Sequence, residues 1–282
     1  MARRLIINAD DFGSSTQVNE AVERAHTKGV LTSTTLMTNM SCFEEAVAIA
    51  RRLPRLGVGV HLNLFKSGPV SDDSQVQCLV NSQGEFRHSP RMLAFLVTFS
   101  NKIRKAIKIE MSAQIQKLFN SDLNPTHLDS HKHIHWFGAV YPIVCSLARK
   151  FDIHAVRNCW EPAAHSNVPW PLSTTEGKRQ AKRLRKMAIL NRLYDSELLR
   201  TQATYGLTHI GRIDTNFFKA VSLYTPDGTA ELMTHPANED DLADSGRLFK
   251  MNRKAEFEAL CDDRTKKYLY DSDIELINYS MV

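Results

Sequence analysis

The chain lacks the paired cysteines that disulfide frameworks and zinc ribbons need. Its five cysteines (Cys42, Cys78, Cys145, Cys159 and Cys261) are odd in number, scattered, and never spaced as CxxC. That usage favours reduced thiols and a cytoplasmic protein. Long apolar runs are missing as well. After Met1-Ala2-Arg3-Arg4 only Leu5 to Ile7 precede Asn8, Asp10 and Asp11, too little for the apolar core of a secretory leader. No stretch has the ~18 consecutive apolar residues of a transmembrane helix. There is no GxSxG, no GxGxxG behind a strand, no P-loop, no HExxH and no EF-hand loop. Serine hydrolases, dinucleotide enzymes and P-loop NTPases therefore find no positive support. A strong charge imbalance is absent too, the net charge being +5 over 282 residues. The excess is local: Lys178, Arg179, Lys182, Arg183, Arg185, Lys186 and Arg192 follow Glu176 with no acid among them. Such a run reads as a solvated helix face, with a substrate-facing or peripheral membrane-surface helix as the alternative. No nucleic-acid-binding motif accompanies it, so nucleic acid is not an expected partner.

What the chain does have is histidine in one place. The stretch Thr126-His127-Leu128-Asp129-Ser130-His131-Lys132-His133-Ile134-His135 holds four of the eleven histidines. In an extended strand alternate side chains share a face, so His127, Asp129, His131, His133 and His135 are expected to point together. Packing gains nothing from that arrangement. A metal or acid/base site needs it, because neutral imidazole binds transition metals and titrates near neutrality.

Around this stretch, strand and helix signals alternate. Strands are expected at Leu5–Asp10, Leu31–Met40, Leu56–Leu64, Ile153–Arg157, Thr208–Gly211, Thr229–His235 and Ile274–Tyr279, besides the histidine stretch. Helices are expected at Thr16–Lys28, Phe43–Leu53, Ile107–Phe119, Val140–Phe151, from Asp214, and at Asn252–Leu269. The segment 65–105 reads as a loop-rich insertion, and about 176–200 as a basic helix. This alternation predicts an α/β fold with parallel strands wrapped by helices; count and length favour a barrel of seven or eight strands in a single domain, 1–282. In such folds the site lies at the carboxyl ends of the strands. Asp10 and Asp11, His61, His131 and His235 all stand where apolar strands end.

The adjacent carboxylates Asp10 and Asp11 can divide labour, one binding a metal and one staying free as a base. Strict alternation would send them to opposite faces, so the chain is expected to leave strand geometry there. With Asp11 and His131, His61 completes an Asp-His-His set with open positions for water, a donor mix that suits zinc better than magnesium. Asn63 shares the strand face of His61. Asp129 is placed to orient an imidazole. His235 is a candidate general acid or oxyanion partner, and Arg157 could hold a substrate or a catalytic carboxylate.

These residues resemble the YdjC/ChbG-like carbohydrate deacetylase family. The resemblance rests on Asn8-Ala9-Asp10-Asp11-Phe12-Gly13, Gly29-Val30-Leu31-Thr32-Ser33-Thr34-Thr35, Gly57-Val58-Gly59-Val60-His61-Leu62-Asn63-Leu64, the histidine stretch, and Met233-Thr234-His235-Pro236-Ala237. It implies a distorted TIM-like barrel that removes acetyl from an N-acetylated sugar of the chitooligosaccharide kind. It also implies one divalent ion, Mg²⁺ or Zn²⁺, held by Asp11, His61 and His131. Asp10 is then the expected base and His235 the expected acid, with Asp129, His127, His133, Arg157 and Asn63 supporting the site or facing the substrate. Val22-Glu23-Arg24-Ala25-His26 and Arg51-Arg52-Leu53-Pro54 resemble a branch acting on N-acetylglucosaminyl hopanoid lipids, so a glycolipid is the alternative substrate. A barrel phosphoesterase and an inactive sugar-binding module are the remaining alternatives, and a homodimer is the default assembly.

Overall fold

The structure is a computed structural model, and it describes residues 2–161, 182, 186, 198–239 and 252–282. The basic segment lies outside these residues except for Lys182 and Lys186, both helical and exposed. Seven strands, each paired in parallel, form one sheet curled into a half-barrel with helices around it. They are β1 (Arg3–Phe12), β2 (Ser33–Leu36), β3 (Gly57–Leu62), β4 (Leu128–Ser130), β5 (Ala203–Tyr205), β6 (Gly228–Thr234) and β7 (Ile274–Leu276). Their order is β4-β3-β2-β1-β6-β5, and β7 pairs with the start of β1. The α-helices that lie wholly among the described residues are α1 (Thr16–Lys28), α2 (Phe43–Arg52), α3 (Pro90–Phe99), α4 (Asn101–Phe119), α5 (Tyr141–Lys150), α6 (Thr215–Tyr224), α7 (Arg253–Cys261) and α8 (Asp263–Asp271).

The period-two rule sorts β1 cleanly. Leu5, Ile7 and Ala9 join the main apolar core between sheet and helices, whereas Ile6 joins a small interior cluster with Ala155, Ile277 and Tyr279. Further along the same inner face come Asn8 and Asp10, both buried. The interior is thus apolar at its floor and polar toward the carboxyl ends of the strands. Two glycines make room for this filling. A Cβ at Gly59 would lie 2.5 Å from the His127 ring, and one at Gly57 would lie 2.9 Å from the Asn278 side chain.

Several expectations need correction. The stretch 65–105 is more ordered than a loop: it carries a 3₁₀ turn (Ser74–Leu79), all of α3 and the start of α4. Ser89 caps α3 ahead of Pro90, and Ser100 caps α4, so two N-terminal signals were present in the sequence. The expected strand at Ile153–Arg157 is reduced to bridges at Ala155 and Val156. The strand expected at Thr208–Gly211 lies earlier, as β5, and the helix at Asn252–Leu269 breaks at Asp262, which caps α8.

Candidate active site

The histidine stretch is not a continuous strand. β4 ends at Ser130, and His131–Trp136 forms a tight turn in which Lys132 and His133 take left-handed backbone (φ 57° and 54°). Ser130 fixes the turn: its Oγ accepts from the His135 backbone N–H at 2.9 Å and meets His135 Nδ1 at 2.6 Å. The five expected inward residues therefore separate. His127 lies deeper in the barrel, stacked on Tyr279 with ring centroids 3.7 Å apart. His135 turns toward Ser130 and Cys159, whose Sγ lies 3.4 Å from His135 Nε2. Asp129 and His131 reach the centre, and His133 stays half-buried beside it with Nδ1 unpartnered among the described residues.

The end of β1 breaks in the same way. Pairing with β2 slips between Ala9 and Phe12, and Asp11 has φ 66°, a conformation that non-glycine residues seldom adopt. The slip lets two adjacent carboxylates serve one centre. Left-handed backbone at Asp11, Lys132 and His133 costs on the order of 1–3 kcal/mol each and is characteristic of functional sites.

Asp10 meets Arg157 edge-on, accepting from Nη1 at 2.8 Å and Nη2 at 2.6 Å, and its Oδ1 also accepts from Asn8 at 3.0 Å. Arg157 is fully buried and serves two more carboxylates, Asp129 at 2.6 Å and Glu231 at 2.8 Å. Burial alone would raise the Asp10 pKa, but the charge and hydrogen bonds of Arg157, with His61, hold it well below the usual carboxylate range. Asp11 is likewise held low against its burial, chiefly by Arg253 at 2.5 Å and by His131 at 3.1 Å. Asp129 fixes His61: its Oδ1 pairs with His61 Nδ1 at 2.8 Å, and its Oδ2 accepts from Thr35 at 3.0 Å. This leaves His61 Nε2 turned to Asp11, 3.5 Å from its Oδ1.

Asp11, His61 and His131 present donor atoms all within 4.8 Å of one another. For comparison, atoms 2.0–2.1 Å from a tetrahedral ion lie about 3.4 Å apart. Nε2 of both His61 and His131 is buried with no hydrogen-bond partner among the described residues, an arrangement that costs free energy unless a ligand occupies it. Four buried carboxylates (Asp10, Asp11, Asp129 and Glu231) also share two guanidinium groups, those of Arg157 and Arg253. That excess of negative charge matches a divalent cation. A second triple, Asp10, His61 and Asp129, is less open, since both of its carboxylates are engaged by Arg157.

His235 completes the mouth. Its Nε2 lies 3.8 Å from Asp10 Oδ2, its backbone N–H donates to Glu256 at 2.6 Å, and Nδ1 has no partner among the described residues. Burial lowers both His235 and His131 to about 4. Asn63, by contrast, is committed to the loop after β3: its Oδ1 accepts from the backbone of Phe65 and Lys66, and its Nδ2 donates to Lys66 and Asn39. Sequence reasoning missed Arg253, Glu231, Glu256 and Thr35. For Glu231 a signal existed, because a carboxylate inside the apolar strand Thr229–His235 shares a face with His235. Nothing local marks Arg253.

Fold and centre together define a parallel α/β half-barrel protein with a buried Asp-His-His cluster that could hold a metal ion, at the carboxyl ends of its strands. The sequence profile of the YdjC-like protein family matches residues 4–271, and the chain belongs to that family. It is similar to the carbohydrate deacetylase of Brevibacillus brevis, with 33% identity over 98% of each chain. The carbohydrate deacetylase of Geobacillus stearothermophilus is also 33% identical, over 99% of this chain and 98% of that one. A solved structure assigned to cellobiose-phosphate cleavage in Enterococcus faecalis superposes with a TM-score of 0.79 at 26% identity, covering 100% of this chain and 99% of that chain.

Proposed function

We propose that this chain hydrolyses the acetamide of an N-acetylated sugar with the help of one divalent ion held by Asp11, His61 and His131. The observation that carries the reading is the pair of buried, unpartnered imidazole nitrogens, Nε2 of His61 and of His131, in the cluster with Asp11, beside an Asp10 fixed as a carboxylate. Two nitrogens and one oxygen suit zinc better than magnesium. A bound ion supplies Lewis acidity, lowering the pKa of water from 15.7 toward about 7 and stabilising oxyanion charge.

The chain's own residues do the rest. Asp10 takes a proton from the water that attacks the acetamide carbonyl. Arg157 keeps that carboxylate charged and aimed, and Asp129 keeps His61 in the tautomer whose Nε2 is free to bind metal. His235 is neutral at rest, and 3.8 Å from Asp10 it can take up that proton and deliver it to the nitrogen as the C–N bond breaks. The products are acetate and a free amino sugar. His133, at the rim, would face the sugar.

A two-metal phosphoesterase finds less support, because Arg157 engages both carboxylates that a second ion would need. A glycolipid substrate is the second reading. It is favoured by α3, which packs against the His131–Trp136 turn and leaves Met92, Phe95 and Phe99 exposed by 50%, 60% and 74%. The test is acetate release from di-N-acetylchitobiose by metal-stripped protein, with Zn²⁺ or Mg²⁺ restored. Metal-dependent release is expected. Release confined to an N-acetylglucosaminyl lipid in micelles would move the substrate to the second reading, and release from neither would contradict the function.

A further inference from the structure

The geometry points to Glu231 and Tyr279 as positioning residues that set the aim of Arg157, and through it of Asp10. This inference rests on Asp10 being the base in the function proposed above. β7 pairs with Arg3–Leu5 at the start of β1, and the Ile277 backbone N–H donates to Leu5 at 3.1 Å, so the segment after Leu276 passes under the barrel floor. There Tyr279 enters the interior, only 3% exposed, and stacks on His127 at an interplanar angle of 14°. The glycines of β3 leave the space for Asn278 and the His127 ring.

A buried tyrosine needs a partner for its hydroxyl. Tyr279 finds it in Glu231, donating to Oε2 at 2.6 Å, with the Thr204 hydroxyl donating to the same oxygen at 3.3 Å. The other oxygen, Oε1, is left for Arg157, where it receives Nε and lies 2.8 Å from Nη2. A guanidinium is a planar fork, so fixing its Nε side fixes the direction of its outer edge. That outer edge is the one that grips both oxygens of Asp10. With the Tyr279 hydroxyl removed, Oε2 keeps only the longer bond from Thr204 at 3.3 Å, and Glu231 can turn to offer both oxygens to Arg157. The fork then swings, and Asp10 swings with it. No charge is deleted in that change. Only the alignment of the base is lost, which affects the chemical step and not substrate binding.

The experiment compares Tyr279→Phe with Ile277→Ala, which loosens the same floor without touching the chain of hydrogen bonds. Tyr279→Phe is expected to lower kcat about 10-fold, the smaller end of what supporting residues contribute, with KM and bound zinc unchanged. Ile277→Ala is expected to lower the melting temperature and leave kcat unchanged. A readout independent of turnover is the Nε–H resonance of Arg157 in ¹⁵N-arginine-labelled protein, assigned with Arg157→Lys. Tyr279→Phe should shift it and speed its exchange with solvent, and Ile277→Ala should not. An unmoved resonance, an unchanged kcat in Tyr279→Phe, or an equal loss of kcat in both variants would overturn the inference. Absence of acetate release from the wild type would instead count against the deacetylase reading, and the resonance alone would then decide the positioning role.

Discussion

Asp10 faces the barrel interior, where Arg157 and Asn8 take up its oxygens, whereas Asp11, one residue on, is held by Arg253 and His131 Nδ1 beside two imidazoles whose Nε2 atoms have no hydrogen-bond partner among the described residues. The left-handed turn at Asp11 separates the two surroundings. One region is a saturated network of charge-assisted hydrogen bonds, rigid because each group is held by several others. The other is an unsaturated ring of donors around a gap. Neighbouring carboxylates of the same type thus acquire different chemistry from what their oxygens already hold. A base must keep its charge and its aim; a metal ligand must keep a lone pair.

Removing a donor from the gap has the largest effect. His61→Ala is expected to abolish zinc binding and reduce acetate release to background, read by metal content and by acetate assay on one preparation. Next in size is the loss of the cation in the saturated region. Arg157→Met strands Asp10, Asp129 and Glu231 in the interior, and breaking a buried pair this way costs about 3–5 kcal/mol, measurable by urea unfolding. Asp129→Asn touches both regions, since Asp129 holds His61 and meets Arg157. It should weaken zinc affinity by about 10–100-fold, as read by competition with a chelator. The smallest effect falls below the centre, where Gly59→Ala pushes a methyl against the His127 ring. It should cost about 1–3 kcal/mol of stability, with zinc stoichiometry unchanged.

Much of this was legible in the sequence because apolar strands stop abruptly at polar residues. Asp10, Asp11, His61, His131 and His235 stand at such stops, and the barrel brings them together. The helix Thr16–Lys28 was readable from its apolar spacing and from Gly29 beyond it; the structure adds the Ser15 cap. What failed was the assumption that alternation persists. Ser130 bonds to His135 and turns the chain after β4, so His135 is drawn away from the centre, while His127 lies a layer below it. Asn63 had the right strand face, but its side chain closes the next loop. Arg253 and Tyr279 could not be placed, because their roles depend on contacts 242 residues away for Arg253 and 48 residues away for Tyr279. Local pattern carries no information about such pairings.

The division of labour between the two aspartates is tested most directly by zinc content and acetate release measured together on Asp10→Asn and Asp11→Asn. Asp10→Asn is expected to keep one zinc and to lose about 10²–10⁴-fold in kcat, while Asp11→Asn loses the zinc and the activity together. Zinc lost from Asp10→Asn and retained by Asp11→Asn would contradict that division of labour.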